Sequence, residues 1–163
     1  MADTMSRKIL YIARHAKSSW DDMSLSDFER PLNARGKRDV PFIAELLKNK
    51  SIKPDLILSS PAKRAKKTAK HYHKTLGGEL RFDTRIYEAS SLTLYQLVQE
   101  ALQSVESVMI VGHNPGLSTL NDMLSDKSIY NIPTAGVVGI SFENPTLEKK
   151  GKALFFEYPK KYV

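Results

Sequence analysis

An arginine and a histidine stand together in Arg14-His15-Ala16, directly after the apolar run Ile9-Leu10-Tyr11-Ile12-Ala13. A second histidine sits in Gly112-His113-Asn114-Pro115-Gly116, directly after Val108-Met109-Ile110-Val111. Two of the chain's four histidines therefore occupy the ends of two candidate strands. An imidazole can attack an electrophile, and a guanidinium can hold the oxygens of a phosphoryl group in its planar fork. Arg64 adds a third group, just inside a helix that follows the apolar run Leu56-Ile57-Leu58 and the turn Ser59-Ser60-Pro61. A proline after a capping residue at Pro61 and again at Pro115 marks two helix starts, whose free N–H groups favour an anion. Two arginines, two histidines and two helix N-termini point to an anionic ligand with several oxygens, and a phosphoryl group fits best.

These residues can meet only if the strands that carry them lie side by side. Strand and helix signals alternate along the whole chain, which predicts an α/β fold: a three-layer α/β/α sandwich with a mostly parallel central sheet of five or six strands. A first strand is expected over 8–13, then a helix capped by Asn33 and running to about Lys48, kinked or broken at Pro41. The strand at 56–58 leads to a helix that Ser60 caps and that Gly77-Gly78 closes. A short strand over 80–82, a helix over 92–103 with Leu94, Leu97, Val98, Ala101 and Leu102 on its apolar face, and a strand over 107–111 follow. A last helix through Leu117, Leu120 and Leu124 precedes two strands, 136–142 and 153–158, expected as a hairpin on the sheet edge. A parallel sheet gathers the C-terminal ends of its strands along one edge, so His15, Arg64 and His113 can face one pocket.

Length and composition narrow the classes further. The 163 residues suit a single domain spanning 1–163, with 1–6 and 159–163 expected as loose termini and no structure assigned to Met1-Ala2-Asp3-Thr4. No apolar stretch approaches the ~20 residues of a membrane span and no secretory h-region opens the chain, so a cytoplasmic location and no membrane partner are expected. The absence of cysteine excludes disulfides, zinc-thiolate sites and a thiol nucleophile. His71-Tyr72-His73 is a poor metal site, because residues two apart on a helix face different ways. The formal net charge of +7 gathers in the run Lys63 to Lys74, read as a solvated face or as an attraction for an acidic or phosphorylated partner. Nucleic acid is not expected, since the run lacks interleaved stacking aromatics.

Taken together, the blocks resemble a known family. Arg14-His15-Ala16-Lys17-Ser18-Ser19-Trp20 resembles the signature of the histidine phosphatase (phosphoglycerate mutase-like) superfamily, usually Arg-His-Gly and then a hydroxyl residue. Ser59-Ser60-Pro61 with Arg64-Ala65 and Thr68-Ala69 is similar to its second arginine motif, and Gly112-His113-Asn114-Pro115 to its second histidine motif. Asp27, Arg30-Pro31-Leu32 and Arg35-Gly36 resemble the short SixA-type phosphohistidine phosphatase branch. The chain departs from the pattern at Ala16, where glycine is usual, and at Asp21, where the mutases have asparagine.

The resemblance implies a phosphatase that needs no metal and no cofactor. His15 would be the nucleophile, and Arg14, Arg64, His113 and Ser18 would hold the phosphoryl oxygens. Glu88, in Ile86-Tyr87-Glu88-Ala89, would be the proton donor to the leaving group. The segment from Glu88 to the strand at 107–111 is too short for a lid insertion, so the expected substrate is phosphohistidine in a protein. A small phosphomonoester and a non-catalytic phosphoprotein-binding module remain the alternatives.

Overall fold

The computed structural model describes residues 7–163, so the expectations for residues 1–6 lie outside the described residues. Six strands and four helices alternate as β1 (Lys8–Arg14), α1 (Ala34–Asn49), β2 (Leu56–Ser59), α2 (Lys63–Leu76), β3 (Glu79–Phe82), α3 (Ser91–Leu102), β4 (Ser107–Gly112), α4 (Gly116–Leu124), β5 (Val137–Phe142) and β6 (Lys152–Glu157). The sheet order is β3-β2-β4-β1-β5-β6. The first four of these are mutually parallel, while β5 runs antiparallel to β1 and β6 antiparallel to β5. The expected edge hairpin is present, and β6 forms the edge.

Strand alternation divides the core in two. Leu10, Ile12, Leu58, Val108 and Ile110 pack under α3 and α4, whereas Tyr11, Ala13, Ile57, Met109 and Val111 pack under α1 and α2. This period-2 sorting makes a three-layer sandwich, because each face of the central strands must bury its own apolar set. The segments after β1 and β2 leave toward one face and those after β3 and β4 toward the other. The loops at the strands' C-terminal ends therefore part around a crevice, the usual ligand position in such sheets.

Several local expectations need correction. Pro41 neither breaks α1 nor divides it; the helix is continuous over 16 residues. The carbonyl that loses its partner belongs to exposed Lys37, where water can replace the missing N–H. α2 begins at Lys63 with Ala62 as its N-cap, two residues later than Ser60 suggests, although Ser60 Oγ still accepts the Ala62 N–H at 3.1 Å. At α4, Pro115 is the N-cap, and Asn114 Oδ1 accepts the Ser118 N–H at 3.1 Å from one position earlier. The C-terminus is not loose: Pro159–Tyr162 forms a 3-10 turn with Pro159 buried. Tyr162 donates to Glu157 Oε1 at 2.5 Å and packs edge-on against Phe42 of α1.

One close contact ties α1 to the loop that follows β1. The Asn33 side chain caps α1 by accepting the Gly36 N–H at 2.8 Å, and Asn33 N–H donates to Lys17 O at 3.0 Å. A Cβ on Gly36 would lie 2.2 Å from that same Lys17 oxygen. Backbone cannot yield as a side chain does, so Gly36→Ala is expected to destabilise the fold by about 1–3 kcal/mol despite alanine's higher helix propensity. Chemical denaturation of the two proteins checks this; equal midpoints would mean that the loop moves freely.

Candidate active site

The register of the sheet brings the two strand-end histidines together. Arg14 pairs with Gly112 across β1 and β4, so His15 and His113 are the next residues on neighbouring parallel strands. Such strands lie roughly 4.8 Å apart, and the two imidazole centroids are 5.2 Å apart. Ser59 of β2 pairs with Val111 of β4, which delivers Ser60 and the start of α2 to the same edge. His15, Arg64 and His113 are all less than one tenth exposed.

Hydrogen bonds fix which nitrogen of each ring carries the proton. A guanidinium has no acceptor, so Arg64 Nε donates to His15 Nε2 at 3.4 Å and Arg64 Nη2 to His113 Nδ1 at 3.4 Å. His15 Nδ1–H must then donate to Ala16 O at 2.7 Å, and His113 Nε2–H to Ser60 Oγ at 2.8 Å. His15 thus keeps an unprotonated Nε2 that faces the cation and is engaged only by a long contact. His113 likewise keeps an unprotonated Nδ1 toward the same guanidinium.

Electrostatics support the neutral ring. Burial, partly offset by the Ala16 carbonyl and reinforced by His113, Arg64 and Arg14, pushes His15 down to about 3. Burial and Arg64 push His113 down to about 4, with Asp27 opposing. Arg14 has its pKa lowered by burial and by Arg64. Its Nη1 donates to Ile132 O at 2.9 Å, while its buried Nε has no hydrogen-bond partner among the described residues. Such a donor is costly to bury unless something accepts from it, and an anionic oxygen would do so.

The sign of the pH dependence follows. The folded protein keeps both imidazoles neutral, whereas the unfolded chain takes up protons below about 6.5. Their contribution to stability is therefore complete above pH 6.5 and is lost as pH falls toward the folded values of about 4 and 3. By pH 5 the loss should reach about 2 kcal/mol per histidine. Urea denaturation at pH 7.5 and 5, with His15→Ala as comparison, reads this out. A mutant that loses as much stability as the wild type would show that His15 does not titrate in this way.

Sequence reasoning gives Asp27, Arg30, Tyr87, Ser60 and Thr68 no part in holding the site together beyond a helix cap at Ser60, and the structure makes them the frame. Asp27 lies in a 3-10 turn, Asp27–Glu29. Its Oδ2 accepts from Arg64 Nη2 at 3.0 Å and from Tyr87 Oη at 2.6 Å, and its backbone carbonyl accepts from Arg64 Nη1 at 2.7 Å. Its Oδ1 accepts from Arg30 Nη1 at 2.9 Å, and Trp20 covers the Arg30 guanidinium at 3.3 Å. Burial would raise the Asp27 carboxyl, but the Tyr87 hydroxyl and the two arginines outweigh it and hold it down at about 2. Asp27 is therefore an anion that orients Arg64, and it cannot give up a proton near neutrality. Thr68 Oγ1 accepts from Ala16 N–H at 3.1 Å and donates to Arg64 O at 2.8 Å, locking the histidine loop to α2.

The expected residues do not all join the cluster. Arg14, His15, Arg64 and His113 come together. Ser18 is buried nearby, with its Oγ accepting from Arg30 Nη2. Glu88 is exposed on a turn at φ 55° and makes no hydrogen bond to the cluster among the described residues. Its neighbour Tyr87 nevertheless meets the His113 ring edge-on at 5.5 Å, which puts the Glu88 turn at the pocket's rim. The only sequence signal for Asp27 and Arg30 is their place beside Arg35-Gly36 in the SixA-type block, since a contact between positions 27 and 64 has no local pattern.

Among the described residues no helix is long and apolar enough to cross a membrane. The sequence pattern of the histidine phosphatase superfamily (branch 1) matches residues 10–120. An uncharacterized chloroplastic protein of Arabidopsis thaliana is 32% identical over 137 residues, 77% of this chain. The chain spans 62% of that relative's length. An uncharacterized protein of Mycobacterium tuberculosis is 32% identical over 133 residues, covering 82% of this chain and 81% of its own. Among solved structures, a candidate phosphohistidine phosphatase SixA from Agrobacterium tumefaciens aligns with a TM-score of 0.81 at 30% identity, over 93% of this chain and 98% of that one. The protein histidine phosphatase SixA complexed with tungstate aligns at 0.83 with 19% identity, over 95% and 99% of the two chains. At that identity the second match speaks to the fold alone.

Proposed function

Because this chain belongs to the histidine phosphatase superfamily and has the SixA-type fold, we propose that it is a metal-independent phosphohydrolase that carries the phosphoryl group on His15 and acts on phosphohistidine in a protein. The observation that carries this reading is the neutral His15 ring, with Nδ1–H tied to Ala16 and the Nε2 lone pair facing Arg64.

In the first step the Nε2 lone pair forms the N–P bond while the bond from phosphorus to the leaving group breaks, and the leaving group departs with the electron pair. Arg14, Arg64 and His113 neutralise charge on the equatorial oxygens, Arg14 through its unpartnered Nε. Ser18 keeps a hydroxyl proton to donate to a further oxygen. In the second step water attacks phosphorus, the N–P bond breaks, and orthophosphate leaves with His15 neutral again. Glu88 supplies the proton to the leaving group and takes one back from the water. Asp27 is unsuited to that role because it stays ionised.

A protein substrate is favoured by the short rim. Only residues 83–90 lie between β3 and α3, so no insertion covers the pocket from that side. Rapid quenching of the protein with labelled phosphohistidine peptide, in the presence of a metal chelator, tests the reading. Acid-labile phosphate on the protein and orthophosphate release are expected. Loss of turnover with chelator, binding without turnover, or exclusive action on small phosphomonoesters would each overturn part of it.

Glu88 has a separate test. Glu88→Gln should lower kcat/KM for phenyl phosphate, a poor leaving group, by about 100-fold and barely affect kcat/KM for p-nitrophenyl phosphate, because kcat/KM reports transfer to His15 and not the later attack of water. Equal effects on both esters would remove Glu88 from the acid role.

A further inference from the structure

The positive charge of this protein is concentrated on one helix. α2 carries Lys63, Arg64, Lys66, Lys67, Lys70 and Lys74 and no aspartate or glutamate. Taking those six cations from the formal net charge of +7 leaves +1 for the other 149 residues. Arg64 is engaged in the active site, and among the described residues none of the five lysines takes part in an ion pair. Helix stability argues against this pattern. Lys63 and Lys67, Lys66 and Lys70, and Lys70 and Lys74 are like charges at i,i+4, and Lys63 and Lys66 stand in the first turn, where the macrodipole favours anions.

The lysines also border a concave surface. Lys63, Lys66, Lys67 and Lys70 wall a groove of about 330 Å³ that Phe28 and Pro61 close. Glu29, which also lines it, is its single acid among the described residues. Phe28 follows Asp27, which holds Arg64, and Pro61 follows Ser60, which accepts from His113. The groove therefore opens directly off the active-site rim. From Lys63 to Lys74 the helix advances about 16 Å, the length of roughly five extended residues.

We infer that this groove docks an acidic segment of the phosphoprotein substrate, lying within about six residues of the phosphohistidine. The inference rests on the phosphoprotein reading above. Charge complementarity selects the occupant, and unpaired lysines beside the reaction centre raise the encounter rate with an acidic partner. A single-stranded nucleic acid fits less well, because it wants successive stacking faces. Beside this groove there are Phe28, already packed edge-on against Tyr87, and Phe82, beneath Lys66 Nζ at 5.5 Å.

Two measurements on the full chain test it. In the first, fluorescence anisotropy follows a labelled peptide rich in aspartate and glutamate and free of phosphate, against wild type and the triple variant Lys66→Gln, Lys67→Gln, Lys70→Gln. Binding should weaken by about 10-fold or more in the variant and at high salt. Replacement of the same three lysines by arginine should restore it. Equal binding by all three proteins, or a single-stranded RNA of the same charge bound as tightly, overturns the proposal.

In the second, kcat/KM is compared for phosphohistidine peptides with acidic and with neutral flanks, with p-nitrophenyl phosphate as reference. Wild type should favour the acidic peptide by about 10-fold, the glutamine variant by less than about 2-fold, and the small ester should be turned over equally by both. Equal use of the two peptides by an active wild type overturns docking but leaves the phosphatase. No turnover of any substrate with acidic-peptide binding intact overturns the phosphatase but leaves the groove.

Discussion

His15→Ala is expected to lower kcat for p-nitrophenyl phosphate by about ten-thousand-fold or more and to abolish acid-labile phosphate on the protein. The reason is atomic. Nε2 of this ring keeps a lone pair that faces Arg64, with its tautomer fixed from the other side by the Ala16 carbonyl. Burial keeps the ring neutral down to about pH 3, so its lone pair is available throughout the physiological range. Arg14, Arg64 and His113 remain in the mutant, and orthophosphate should still bind within several-fold of wild type. Loss of turnover with retained anion binding is the signature of a missing nucleophile, whereas loss of both would indicate a collapsed site. Activity within tenfold of wild type would remove His15 from the mechanism.

Arg64→Ala should cost about a thousand-fold in kcat/KM, and Arg64→Lys should recover less than a tenth of the loss. Each of the three guanidinium nitrogens makes a different contact. Nε reaches His15, Nη1 the Asp27 carbonyl, and Nη2 is shared between His113 and the Asp27 carboxylate. A lysine ammonium offers one point charge and cannot span them. The side chain is also a source of the low imidazole values, so its removal should raise both histidines toward their ordinary 6.5 and move the acid limb of the pH profile upward. Stopped assays across pH 4–8 read both effects. A lysine variant of near wild-type activity would reduce Arg64 to a general positive charge.

Much of this site is legible in the sequence because its parts follow local rules. Alternating apolar runs mark β1 and β4, and polar groups placed right after them must lie at the strands' C-terminal ends. The helix starts differ by one or two residues from those that Ser60 and Asn114 predict, since a cap depends on backbone angles that residue type only biases. Pro41 predicts a break because its own turn is all the sequence displays. The packing of Val40, Ile43, Ala44 and Leu47 against the sheet outweighs one lost backbone bond. The Pro159–Tyr162 turn has one local signal, the i,i+4 spacing of Glu157 and Lys161, whereas the pairing of Glu157 with Lys50 beyond the end of α1 has none.

The sequence by itself determined the candidate groups and their supports: the Arg14-His15 pair, Arg64 near a helix start, His113 in a tight loop, and the strands beneath them. It could do so because strand period and turn chemistry act over a few residues. Tertiary structure alone decided that β4 lies between β2 and β1 with Arg14 opposite Gly112, which sets the two rings 5.2 Å apart. It also decided that Asp27 crosses to Arg64, so that a carboxylate expected only as a family marker became the anchor of that guanidinium. Both depend on which distant segments share a buried edge, and the free energy of that choice is spread over the whole core.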